Sequence, residues 1–109
     1  MASLSTLDPR FRPMAVAFVE AAKRAGYRPT VTSARRSRAK QAALYRAFLE
    51  GRMPYTVLPP GRSKHESGMA FDMVSAYGTK ALAKLGAVWR AWGGHWAGPS
   101  DPVHFEAPR

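Results

Sequence analysis

Two short stretches of the chain carry residues able to meet at one metal ion. Ser63-Lys-His-Glu-Ser-Gly-Met-Ala-Phe-Asp72 supplies His65 and Asp72, and Asp101-Pro-Val-His-Phe-Glu106 supplies His104 with Asp101 three residues before it. Catalytic zinc is usually held by three ligands of the His and Asp/Glu type, with the fourth position left to a water whose pKa falls to about 7. His65, Asp72 and His104 fill that quota. Asp101, a carboxylate beside such a water but not a ligand, is a natural general base. The residue types therefore describe a hydrolytic zinc site.

The spacing constrains the backbone. Residues seven apart lie ~10 Å from each other along a continuous helix and ~23 Å along a strand, so neither form brings His65 and Asp72 onto one ion. The chain must fold back between them, and Gly68 can take the positive φ that such a turn often needs. At the second stretch, Pro102 disfavours α geometry at Asp101, so Asp101 ends a loop and an extended run begins after it. Asp101 and His104 then sit near one another across a turn.

The intervening sequence reads as a single α+β domain spanning residues 1–109. A helix is expected over 13–25, with Met14, Ala15, Phe18, Val19 and Ala22 on one stripe and Gly26 ending it. A strand follows at 27–32. Ser37 is the expected N-cap of a second helix reaching about Glu50. Residues 52–62, rich in Pro and Gly, form a loop able to make one wall of a cleft. A strand at 69–74 and a helix at 79–92 come next, with Leu82, Leu85, Val88, Trp89 and Trp92 inward. Gly93 and Gly94 break that helix, and 103–106 closes the sheet. About three helices beside a small, mainly antiparallel sheet with a zinc cleft is the expected architecture.

The motifs S-x-H-x-x-G-x-A-x-D, W-G-G-x-W and D-x-x-H-F-E, in that order, resemble those of the zinc peptidases that trim peptidoglycan stem peptides. These comprise D-alanyl-D-alanine carboxypeptidases and dipeptidases, and the L-alanyl-D-glutamate endopeptidases of bacteriophage endolysins. Upstream, Thr32-Ser-Ala-Arg-Arg-Ser-Arg-Ala-Lys-Gln41 is similar to the family's S-G-Y-R-S-x-x-x-Q stretch, so the match runs over residues 14–106. The resemblance implies zinc ligation by His65, Asp72 and His104 and a base role for Asp101. It also implies that Arg36 holds the substrate or the developing oxyanion, and that Ser63 and Gln41 line the substrate site. Three positions depart from the pattern: His95 replaces the usual acid or amide of G-G-D-W, and Ala34 and Arg35 replace the glycine and tyrosine of S-G-Y-R.

Plainer readings compete with these. His95 reads as a hydrogen-bonded structural residue. Arg36, among Arg35, Arg38 and Lys40, reads equally as part of a solvated basic cluster without the resemblance. Asp72 lies inside the apolar run 69–74, where an unpaired carboxylate would be costly and a metal removes the difficulty. Glu106 reads as a partner for a ligating histidine.

A chain of 109 residues, 46% hydrophobic, supports one core. Without cysteine, any zinc must be held by nitrogen and oxygen. Seventeen Lys and Arg against seven acids give a formal charge of +10, which draws the chain to polyanions. Teichoic acids and lipopolysaccharide fit as partners; no motif for specific nucleic-acid binding appears. The N-terminal residues lack a signal-peptide pattern and no stretch approaches the ~20 apolar residues of a membrane span. Synthesis in the cytoplasm, release to the wall by a membrane-permeabilising, holin-type partner or by virion packaging, and a monomeric state are the expectations. The reading is a zinc L-alanyl-D-glutamate endopeptidase of the endolysin kind that acts on the stem peptide. The alternatives are a D-alanyl-D-alanine carboxypeptidase and a non-catalytic basic binder of cell wall or nucleic acid.

Overall fold

The computed structural model describes residues 2–109. A 3-10 turn at Leu4–Thr6 precedes α1 (Arg12–Arg24), β1 (Pro29–Ser33), α2 (Arg38–Leu49), β2 (Ala70–Ser75), α3 (Gly78–Ala91), β3 (His95–Trp96) and β4 (His104–Glu106). The four strands form one sheet in the order β1-β2-β4-β3, with every neighbouring pair antiparallel. This is the expected α+β architecture, and most element ends fall within a residue or two of those read from the sequence.

Strand alternation divides the sheet into two faces. Phe71 and Met73 of β2, Phe105 of β4 and Trp96 of β3 join Phe18 and Val19 of α1 and Leu82, Leu85 and Trp89 of α3 in the hydrophobic core. Trp89 sits at its centre, edge-on to Phe11, Phe18, Phe71 and Phe105. Its indole N–H donates to the Glu106 carbonyl at 2.8 Å, which ties α3 to β4. Asp72, His104 and Glu106 take the alternate positions and face the other side.

Helix α2 contributes nothing to the core cluster. Its Ser37 cap is as expected, the hydroxyl accepting from Lys40 N–H, and its buried residues are Gln41 and Ala47 alone. The helix therefore serves the site face of the molecule.

Two expectations need correction. Val88 and Trp92 are 45% and 42% exposed, and Ala81 and Gly86 take the inward positions instead. Trp92 covers the flank of Phe18 with one edge only. Strand β3 was also not expected; it forms because Trp96 lies flat on α3 at Gly86, where any side chain would strike the indole ring.

Candidate metal centre

Asp72 and His104 stand directly opposite one another in the β2/β4 ladder, and Ser33 of β1 stands on the other side of Asp72. An irregularity in β1 between Val31 and Ser33 establishes that last pairing, a device that re-aims a side chain at a sheet's working face. His65 reaches the same place from the loop before β2. The fold-back expected between His65 and Asp72 is present, with Gly68 at φ +74°. Bonds from Gly68 N–H to the His65 carbonyl and from Met69 N–H to the Lys64 carbonyl close the turn. Asp8 N–H anchors it from outside through the Gly68 carbonyl at 3.0 Å.

His65, Asp72 and His104 each offer one ligand atom, and these atoms lie within 4.8 Å of one another. Asp72 Oδ1 is 3.1 Å from His65 Nε2 and 3.2 Å from His104 Nδ1. Ligands on a tetrahedral zinc with bonds near 2.0 to 2.1 Å are about 3.3 Å apart, so these separations suit such an ion.

The remaining ring nitrogens settle which proton each histidine keeps. His65 Nδ1–H donates to the Ala34 carbonyl at 2.7 Å, and His104 Nε2–H donates to Glu106 Oε1 at 2.9 Å. In its neutral form each ring therefore turns a bare nitrogen toward Asp72, which itself only accepts. Three lone-pair donors facing one another call for a cation between them, and the outer partners orient the rings as in a ligating histidine. The donor set fits zinc. His65 is 3% exposed, so its orientation is held on all sides.

Arg36 lies beside this group. Its Nη1 donates to Gln41 Oε1 at 2.8 Å and its Nη2 to Ser33 Oγ at 3.0 Å, with Asp72 Oδ2 3.9 Å away. Its backbone N–H donates to the His65 carbonyl, so residues 34–36 and His65 hold each other through two bonds. Gln41 is 1% exposed and sits behind Arg36, its amide donating to the Leu58 carbonyl at 2.6 Å. Ser63 Oγ accepts from His65 N–H and shapes the turn that presents the ring.

Burial would raise the Asp72 carboxyl, but with no ion between them the rings of His104 and His65, when they donate to it in place of the metal, hold it well below the usual carboxylate range. For His104, burial opposes the charge while Asp72 and Glu106 outweigh it and raise the imidazole. Asp101 is an exposed residue whose carboxyl is partly withdrawn from water. That withdrawal, with the charges of Asp72 and Glu106 added, raises it against the opposing pull of His104 and His65. The expected turn is present, with His104 N–H donating to the Asp101 carbonyl at 3.2 Å.

His95 pairs with Glu106 in the β3/β4 ladder and does not join the metal group. Ser33 was passed over although it stands in the S-x-x-R run; a hydroxyl three residues before an arginine was the available signal. The Ala34 carbonyl, a backbone atom, leaves no sequence signal.

Residues 5–92 match the family model described as VanY, D-alanyl-D-alanine carboxypeptidase. The matched segment holds Arg36, Gln41, Ser63, His65 and Asp72 and stops short of Asp101 and His104. No curated protein matches the chain in sequence. Among solved structures, the vancomycin resistance D,D-pentapeptidase VanY of a VanB-type cassette, a mutant in complex with Zn(II), aligns with TM-score 0.74 at 23% identity over 93% of this chain and 72% of its own. VanYB in complex with D-alanine-D-alanine aligns with TM-score 0.76 at 23% identity, over 94% and 72%. The Serratia marcescens L-Ala D-Glu endopeptidase ChiX aligns with TM-score 0.62 at 24% identity, over 95% and 82%. At these identities the likeness is one of fold. With most of its length matching the family model and a His-Asp-His group suited to zinc on the fold's working face, the chain belongs to the VanY, D-alanyl-D-alanine carboxypeptidase, family of zinc peptidases that act on peptidoglycan.

Proposed function

We propose that the chain is a zinc-dependent L-alanyl-D-glutamate endopeptidase of the endolysin kind, acting on the peptidoglycan stem peptide. The observation that carries the hydrolytic reading is the arrangement of His65, Asp72 and His104, with two bare imidazole nitrogens and a carboxylate oxygen converging and both outer N–H groups engaged. The fuller coverage of ChiX, 82% of that chain against 72% of the VanY chains, supports the endopeptidase. The family model, named for carboxypeptidases, favours D-alanyl-D-alanine carboxypeptidase as the second reading.

His65, Asp72 and His104 would hold the zinc, which when bound polarises the scissile carbonyl and acidifies a water. Asp101 takes the proton of the attacking water and delivers it to the leaving amine. In the metal-free molecule partial burial raises its carboxyl, so it holds a proton more readily than a free aspartate does. Arg36, fixed by Gln41 and Ser33, steadies the substrate or the oxyanion; a preset donor spends little on reorganisation during the reaction. Ser63 lines the substrate side, and the buried Gln41 acts on it only through the arginine it holds.

Surplus positive charge retains the protein on anionic envelope polymers. Among the described residues no helix is long and apolar enough to cross a membrane. Incubating the protein with purified sacculi, with and without zinc, and identifying the new termini by mass spectrometry tests the proposal. New L-alanine carboxyl and D-glutamate amino termini are expected only with zinc. Released D-alanine alone would favour the carboxypeptidase, and no new termini would overturn both.

A further inference from the structure

A general base is only as well placed as the backbone that carries it, and Asp101 depends on that backbone alone. Among the described residues its carboxylate has no hydrogen-bond partner, and the residue is exposed. A side chain without an anchor of its own moves with its loop, and a misplacement of about 1 Å can cost a reaction about 100-fold. The loop between β3 and β4 has neither helix nor strand, and Ala97, Pro99 and Ser100 lie open to solvent. Something else must hold it still.

Part of the hold is local. Asp101 N–H donates to the Gly98 carbonyl at 3.1 Å, and His104 N–H to the Asp101 carbonyl at 3.2 Å. Met73 N–H of β2 fixes the far end of the loop through the Val103 carbonyl at 2.9 Å. The residue next to Asp101 is tied by a side chain: the Trp96 indole N–H donates to the Pro102 carbonyl at 3.0 Å. Trp96 is 5% exposed and fixed on more than one side. Its ring rests on Gly86 of α3. The Arg90 guanidinium stands 5.0 Å from the ring centroid, within cation–π range, and its Nη2 donates to the Trp96 carbonyl at 2.8 Å. The same Nη2 lies 3.8 Å from where a Cβ on Gly98 would stand, so Arg90 also covers the start of the loop.

We propose that Trp96 and Arg90 are positioning residues for Asp101. The indole N–H, steadied by the guanidinium, holds the loop so that the carboxylate is presented to the metal group. Neither side chain touches the reacting atoms. The inference rests on the reading of Asp101 as the base and extends its support to an arginine on α3 that lies outside the site motifs.

The test uses zinc-loaded wild-type protein, Trp96→Phe, which keeps a ring on Gly86 without the N–H, and Arg90→Met, which keeps the stem without the guanidinium. Unchanged zinc stoichiometry certifies the fold of each. On a muropeptide substrate Trp96→Phe is expected to lower kcat about 10- to 100-fold with KM nearly unchanged. Arg90→Met should lower it up to about tenfold, the scale of one hydrogen bond, and Arg90→Lys should recover part of that loss by restoring a cation over the ring. Both losses should vanish in an Asp101→Asn background, where a residue acting only through Asp101 has nothing left to position. In parallel, hydrogen exchange of the Asp101 amide should quicken in Trp96→Phe while amides of α1 keep their wild-type rates. A kcat loss that persists in full beside Asp101→Asn, a loss confined to KM, or unchanged exchange at Asp101 overturns the proposal. If Asp101→Asn cleaves at the wild-type rate, the base assignment falls by itself; if the wild type cleaves nothing, the peptidase reading falls. In both cases quickened exchange at Asp101 still supports the hold on the loop, and unchanged exchange overturns it.

Discussion

Gly68 and Gly51 share a φ of +74° but differ in what surrounds them. A Cβ on Gly51 meets nothing within 4 Å, whereas one on Gly68 would lie 2.7 Å from Asp8 N and 3.3 Å from the Leu7 carbonyl carbon. Gly51→Ala should therefore lose only the left-handed backbone penalty, about 1–2 kcal/mol. Gly68→Ala incurs that penalty and an overpacking cost of about 1–3 kcal/mol, because the obstacle is backbone held by the Asp8 N–H to Gly68 carbonyl bond and cannot swing aside. The expected difference between the two variants is thus about 1–3 kcal/mol, read from urea unfolding of zinc-free protein in the presence of a chelator. Displacing the turn also moves His65 against Asp72. Zinc affinity measured by competition should fall ~10- to 100-fold in Gly68→Ala, the range for disturbed support of metal ligands, and stay at the wild-type value in Gly51→Ala. Equal destabilisation of the two variants, or wild-type zinc affinity in Gly68→Ala, would refute the argument that this turn is braced from outside.

Asp101→Asn is expected to keep its zinc and lose turnover by ~100-fold or more, while Asp72→Asn loses metal first and recovers activity partly with added zinc; the reverse pattern would exchange their roles. In zinc-free protein, the depressed Asp72 contributes stability that is present above its unfolded value of 3.8 and lost as pH falls. The raised His104 contributes stability present below 6.5 and lost as pH rises through its folded value. Thermal scans without metal should accordingly show this pair's contribution draining away on the alkaline side. The stabilisation added by zinc should grow there, because the ligating nitrogens must be free of protons; a zinc increment that is flat with pH would contradict this. Retention on sacculi should fall steeply with salt, since the Debye length shrinks from about 10 Å at 0.1 M to about 3 Å at 1 M; indifference to salt would point to a specific pocket instead.

Local chemistry was the legible part of the molecule. Ser37 as a cap, Gly68 as a turn and Pro102 before an extended run each follow from one residue's own geometry, and each stands where expected. Helix α1 was readable because its stripe faces a single core. What escaped depends on partners distant in the chain. The two residues of β3 carry no periodicity, and their strand exists because Trp96 rests on Gly86 of α3. Val88 and Trp92 were read inward from periodicity alone, but α3 also packs along Gly86, which turns its buried stripe away from them. Gln41 looked like a polar wall of the cleft, yet it is buried, a position only the paired demands of Arg36 and the Leu58 carbonyl explain.

The pairing of Asp72 with His104, and of Phe71 with Phe105 beside them, has a meaning for how the molecule matures. A slip of one residue between β2 and β4 would turn Asp72 toward the aromatic core and present Phe71 or Met73 to the histidines. A misregistered sheet would thus be unable to bind metal, and zinc would bind tightly only where the strands are correctly aligned. Ion capture would then act as a checkpoint on folding: a metal held by His65, Asp72 and His104 would withdraw correctly paired molecules from the exchanging population, so that the chain would become capable of chemistry only once its strands are aligned.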